Sequence, residues 1–183
     1  MRRSLTAFLA SLLAMVMSIT ATDAADLENT LYLDLKDGRV VIEMRPDLAP
    51  NHVTRIKELV RKGFYDGLLF HRVIAGFMAQ TGDPRGDGKG GSGTNLEAEF
   101  SSEPHVRGTV SMARAASPDS ADSQFFIVFA RARSLDGQYT VWGHVTEGMV
   151  RVGKIKRGDK ARNGSVISPD SIIRMRVAAD VKE

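Results

Sequence analysis

Side chains able to make or break covalent bonds are few in this chain and poorly spaced for it. There is no cysteine, which excludes a thiol nucleophile, a zinc–thiolate cluster and any disulfide. The four histidines, at positions 52, 71, 105 and 144, show no paired metal spacing. No Ser-His-Asp order surrounds a nucleophile elbow. The run Gly86–Gly91 fails as a phosphate loop, because Asp83 stands where glycine is required and Gly90 follows Lys89 where Ser or Thr is required. A calcium loop opening at Asp83 fails too, with Arg85 and Thr94 at ligand positions. What remains is a cation among aromatic and amide side chains. Arg72 follows Phe70-His71 and precedes Phe77-Met78-Ala79-Gln80. A guanidinium stays charged and offers several donors in a rigid fork. Taken alone, an arginine in a strand is a solvated edge residue, so its neighbours must decide its role.

The elements that would position these residues are mostly short strands. Leu31–Leu35 and Arg39–Met44 alternate apolar and polar residues around Asp37-Gly38, a hairpin signal. Pro46 and Pro50 stop the second strand. Val53, Ile56, Val60 and Phe64 then recur at helical spacing, with Pro50 in the first turn and Gly63 and Gly67 ending the helix. Leu68–Val73, Phe77–Gln80, Thr109–Ala113, Phe125–Phe129, Thr140–Val145 and Ile172–Val177 are further strands. Residues 81–95 form a Gly-rich loop, expected as a flexible wall, and 157–165 a polar, basic one. A short helix is expected over Met149–Lys156. Many strands and two helices predict a mainly β barrel or sandwich.

The 183 residues suit one domain with its own core. The formal charge of +3 is spread along the chain without a basic stripe, which argues against nucleic acid as partner. Residues 1–24 differ from the rest. Arg2 and Arg3 precede an uncharged apolar stretch, Leu5 to Ile19, and Thr22-Asp23-Ala24 offers an imperfect cleavage site. This is the layout of a secretory signal peptide, and the apolar run is short for a membrane span. The expectation is a signal at 1–24, cleaved near Ala24, and a single domain over 25–183. Removing Arg2, Arg3 and Asp23 takes the formal charge from +3 to +2. The mature protein is expected to be periplasmic or secreted, monomeric and without stable membrane insertion.

The segment Phe70-His71-Arg72-Val73-Ile74-Ala75-Gly76-Phe77-Met78-Ala79-Gln80-Thr81-Gly82-Asp83 resembles the cyclophilin signature. So do Val110-Ser111-Met112-Ala113, Ser123-Gln124-Phe125-Phe126-Ile127, Leu135-Asp136-Gly137 and Val141-Trp142-Gly143-His144-Val145. Order and spacing match from about residue 29 to 177. The resemblance implies a closed eight-stranded antiparallel β-barrel capped by two α-helices, with a groove on the barrel wall. It implies peptidyl-prolyl cis-trans isomerisation of proline-containing polypeptides, with no cofactor and no metal. Arg72, Gln80 and Phe77 would be catalytic, Gln80 holding Arg72. Phe77, Met78, Phe126, Leu135 and Tyr139 would line the proline pocket. Gln124 and the backbone at Ala113 and Arg114 would bind the extended peptide. Strand alternation requires one of Phe125 and Phe126 to face the core and the other the groove; the resemblance assigns Phe126 to the groove. Trp142 is expected in the core.

Three positions depart from the best-known eukaryotic members. Ser134 stands where they carry tryptophan, Tyr139 where they often carry histidine, and Arg114 replaces a common asparagine. Serine cannot place an indole N–H, so weak cyclosporin binding is expected, while Tyr139 keeps an aromatic face for a proline ring. The rival to an isomerase is a non-catalytic module or chaperone that holds proline segments; such a binder could lose Arg72.

Overall fold

The computed structural model describes residues 27–182; the expected signal peptide, 1–24, lies outside them. Eight strands form one antiparallel sheet. They are β1 (Thr30–Leu35), β2 (Gly38–Met44), β3 (Arg72–Ile74), β4 (Met78–Thr81), β5 (Thr109–Met112), β6 (Phe125–Val128), β7 (Val141–Glu147) and β8 (Arg174–Val177). Their order across the sheet is β3-β4-β6-β5-β7-β2-β1-β8. The two α-helices among the described residues are α1 (Pro50–Arg61) and α2 (Met149–Val152). The Asp37-Gly38 hairpin forms as the sequence predicts, with Leu35 opposite Gly38.

The sheet curls but stays open, which corrects the expected closed barrel. No ladder joins the two edge strands, β3 and β8. Isolated bridges from Leu69 to Ser171 and from Arg72 to Ser165 span the seam instead. The cause is local: Pro169 has no N–H to give a ladder, and Ser168 takes a positive φ of 52°. The chain entering β8 therefore cannot run as a regular strand. For the same reason the expected strand over Leu68–Val73 shortens, beginning only at Arg72. The second helix also ends early, at Val152 rather than Lys156.

The main core lies within the curl, where Trp142, Phe125, Tyr65 and Phe70 are fully buried. The ring of Phe125 meets Trp142 edge-on at 5.4 Å and Tyr65 at 5.6 Å. Helix α1 buries His52, Val53, Ile56, Leu59 and Val60. It ends at Lys62 and Gly63, with Gly63 N–H bonded to the Val60 carbonyl and Phe64 N–H to the Leu59 carbonyl. That pairing needs a left-handed residue, which Gly63 supplies at φ 68°. Phe64 thus lies beyond the helix, packed on the core from the turn.

The other end of α1 has no side-chain cap of its own, since Ala49 precedes it. Glu99 takes that place from a distant loop. Its carboxylate accepts from Asn51 N–H and His52 N–H at 3.0 Å each, and meets His52 Nδ1 at 2.6 Å. Burial alone would raise the Glu99 pKa, but these hydrogen bonds outweigh it and hold it below the ordinary carboxylate value. A folded-state pKa below the unfolded one stabilises above the ordinary carboxylate range, and is lost as pH falls through the folded value. Glu99→Ala is expected to cost about 1–2 kcal/mol at neutral pH. The deficit should shrink in acid, as urea midpoints at pH 7 and pH 3 would show.

Candidate active site

Register places the site. On β3, Arg72 sits opposite Gln80 of β4; Gln80 sits opposite Phe126 of β6; Phe126 sits opposite Ser111 of β5. Directly opposed residues share a face, so these four form a row on one side of the sheet. Their strand neighbours Val73, Ala79, Phe125, Ile127, Val110 and Met112 face the other side and belong to the main core. The row's own side carries a second apolar cluster of Met78, Phe126, Val128, Ala132 and Leu135, with Ile74, Phe77, Ala113 and Tyr139 packed on it. Phe125 therefore faces the core and Phe126 the groove.

Along this face runs a groove with a cavity of about 560 Å³. Arg72, Phe77, Met78, Gln80, Ala113, Arg114, Phe126, Leu135 and Tyr139 all line it. Gln124 lines an adjoining cavity of about 370 Å³, which shares Gln80, Gly88, Ala113 and Arg114 with the first. Ser134 is exposed and lines neither. Phe126 is the floor: Tyr139 meets it edge-on at 5.9 Å and His105 stacks beneath it at 6.2 Å.

The Arg72 guanidinium is fixed from two sides. Nη1 donates to Gln80 Oε1, while Nε and Nη2 donate to the carbonyl and the Oδ1 of Asn163, each at 3.0 Å. Three of its five donor hydrogens are thereby engaged, leaving two. Burial lowers its pKa, with Tyr139 opposing; a guanidinium remains charged at neutral pH regardless. Asn163 went unnoticed in the sequence, inside the stretch expected as a basic loop. It takes a left-handed φ of 52°, followed by Gly164 at 80°. The loop packs along β3, with Val73 N–H bonded to the Gly164 carbonyl and Gly158 N–H to the Val73 carbonyl. A Cβ on Gly158 would overlap the Gly164 carbonyl, so glycine is required there for Asn163 to reach Arg72. An Asn-Gly pair after a basic run was the available signal.

Gln80 continues the chain of bonds. Its Nε2 donates to Gln124 Oε1 at 2.9 Å, and Gln124 Nε2 donates to the carbonyls of Gly88 and Gly90. Gln124 therefore ties the Gly-rich loop to the sheet, with both amide hydrogens engaged. The loop is further held by Asp83, which accepts from Arg85 and Gly88 N–H, and by Asp122, which accepts from Ser92 and Gly93 N–H. The expected flexible wall is a stapled one. Beneath it His71 is buried with neither ring nitrogen hydrogen-bonded. Burial lowers its pKa against the pull of Asp83, which keeps it neutral near pH 7.

Folding also assembles a Ser-His-Asp chain that sequence order hid. His105 Nε2 lies 3.0 Å from Ser111 Oγ, and Nδ1 lies 3.2 Å from Asp136 Oδ1. It does not make a hydrolase. Ser111 is fully buried behind Phe126, and its hydroxyl donates to the Thr140 carbonyl at 2.8 Å. Among the described residues no group of three or more His, Asp or Glu could hold a metal ion, and no helix is long and apolar enough to cross a membrane.

Comparison with known proteins agrees with this geometry. Residues 30–177 match the family model described as cyclophilin type peptidyl-prolyl cis-trans isomerase/CLD. A probable peptidyl-prolyl cis-trans isomerase of Brucella suis biovar 1 is 55% identical over 177 residues, covering 90% of each chain. Peptidyl-prolyl cis-trans isomerase B of Bacillus subtilis is 43% identical over 133 residues, covering 71% of this chain and 92% of that one. Among solved structures, a cyclophilin from Hirschia baltica superposes with a TM-score of 0.76 at 28% identity, covering 86% of this chain and 76% of that one. A Cryptosporidium parvum cyclophilin type isomerase, crystallised in the presence of the dipeptide Ala-Pro, gives 0.74 at 28% identity, covering 81% and 98%. With the catalogued motifs carried on one face of an open, curled sheet, this chain belongs to the cyclophilin-type peptidyl-prolyl cis-trans isomerase family.

Proposed function

We propose that this enzyme isomerises Xaa-Pro bonds of exported polypeptides and so assists their folding, with Arg72 as its electrostatic catalyst. The observation that carries the reading is the clamped guanidinium, with two unengaged hydrogens at the edge of an apolar pocket. An Xaa-Pro amide resists rotation by about 18–20 kcal/mol because resonance gives its C–N bond double-bond character. No covalent bond breaks, so the enzyme has only to favour the twisted amide over both planar forms. Twisting makes the prolyl nitrogen pyramidal and returns its lone pair. A donor already fixed beside it then binds more strongly than in the planar state, as an oxyanion hole binds developing charge. Phe77, Met78, Phe126, Leu135 and Tyr139 hold the proline ring. Gln80 and Asn163 hold the arginine.

Export rests on the Arg2-Arg3 start and the apolar stretch to Ile19; N-terminal sequencing of the cell-made protein should begin near Ala25. Activity is tested by cis-to-trans exchange of a short Xaa-Pro peptide with the chain from Ala25. Acceleration is the expected result. Peptide binding without acceleration would move the chain to a proline-binding module.

A further inference from the structure

We propose that Arg114 makes this groove selective for proline peptides carrying an acidic side chain close to the Xaa-Pro bond, an inference that rests on the isomerase reading above. Arg114 stands between the two cavities and lines both. Its side chain is held in place. Nε donates to the Gln138 carbonyl at 3.1 Å, and Nη1 to the carbonyls of Ala115 and Ala116 at 3.0 and 3.2 Å. The guanidinium also lies over the Tyr139 ring at 4.7 Å, with Phe100 at 6.0 Å. These contacts engage three of its donor hydrogens, so both hydrogens of Nη2 remain for a ligand. No carboxylate pairs with it among the described residues.

The acids of the cavity walls are already occupied. Asp87 accepts from Arg85 and from Lys89 N–H. Asp122 accepts from the Ser92 amide and hydroxyl and from Gly93 N–H. Lys89, whose ammonium forms no ion pair among the described residues, lines the smaller cavity with Arg114. That cavity therefore sets two cationic groups against a single carboxylate, Asp122, whose oxygens are already taken by the Ser92 and Gly93 donors. A carboxylate projecting from an extended peptide, whose residues advance about 3.3 Å each, is the complement. The fixed geometry matters: a cation already ordered by three hydrogen bonds and two aromatic rings loses little freedom when a carboxylate docks.

The test uses peptides with Glu, Gln or Lys at each of the two positions on either side of the Xaa-Pro pair. With the wild-type chain at low salt, kcat/KM for Glu should exceed that for Gln by about three- to tenfold at positions on one side of the bond. The ratio should fall as sodium chloride is added. Arg114→Gln should bring it close to one, and Arg114→Lys should keep part of it. The ratio is the readout because losing Arg114 also frees Tyr139 and shifts kcat/KM for every peptide. A flat ratio in the wild type, or one that survives Arg114→Gln, overturns the inference while leaving the isomerase standing. Failure to accelerate any peptide removes the isomerase reading, and this inference with it.

Discussion

Replacing Arg72 with alanine is expected to slow Xaa-Pro exchange about 10²- to 10³-fold while the fold persists. The side chain is half-buried and lies on β3 at the edge of the sheet, so its loss leaves the main core intact. The amide of Gln80 and the side chain of Asn163 would lose a partner, but both border the groove, where water can replace it. The deficit should therefore appear as catalysis, not unfolding. It should also fall on kcat more than on KM, because the arginine acts on the twisted amide while the apolar pocket holds the ring in all states. Arg72→Lys makes the sharper test. It keeps the charge, yet an ammonium on a flexible stem cannot bridge Gln80 and Asn163 while aiming a donor at the prolyl nitrogen. Lysine should thus recover little of the lost rate. If either variant exchanges peptide at the wild-type rate with an unchanged circular dichroism spectrum, the charge-stabilised twisted amide is not how this chain works.

The parts of this molecule that were legible in its sequence are those fixed by short periods. The hairpin around Asp37-Gly38 and the α1 face of Val53, Ile56 and Val60 follow from alternation and helical spacing. The division of labour between Phe125 and Phe126 follows from the pleat once one of them is assigned. What escaped depends on contacts between distant segments. Asn163 reaches Arg72 across 91 residues of chain, and Glu99 caps a helix 47 residues before it. A carboxylate that caps from afar looks like any loop glutamate, and the Asn163-Gly164 pair marks a turn without naming the arginine it holds. The open seam was hidden for another reason. Whether a curled sheet closes depends on a few residues at its last edge, here Ser168 and Pro169, and not on the strand count. Gln124 lies beside the groove, and its amide hydrogens meet the Gly88 and Gly90 carbonyls of a distant loop, a pairing with no local signal. The family resemblance located the row; only register and hydrogen bonds gave each member its neighbours.

Adjacent phenylalanines on β6 should fail in opposite ways when truncated. Phe125→Ala opens a cavity in the main core against Trp142 and Tyr65, walled by fully buried side chains that cannot collapse into it. A loss of about 3–5 kcal/mol in unfolding free energy is expected, with KM for an Xaa-Pro peptide little changed in the protein that remains folded. Phe126→Ala removes the floor of the proline pocket instead. That residue is 4% exposed, yet it borders the groove, so water can enter the space left and the cavity cost is smaller. The proline ring, however, loses its largest apolar surface, and Tyr139 and His105 lose the ring they pack against. At about 25 cal/mol per Å² of apolar surface, losing some 50–60 Å² of contact corresponds to roughly tenfold in binding. KM should rise by about that factor, with a stability loss below that of Phe125→Ala. Urea denaturation and peptide kinetics on the two variants separate the cases. Equal stability losses with an unmoved KM in both would mean that Phe126 is core, and that the proline ring binds elsewhere on this face.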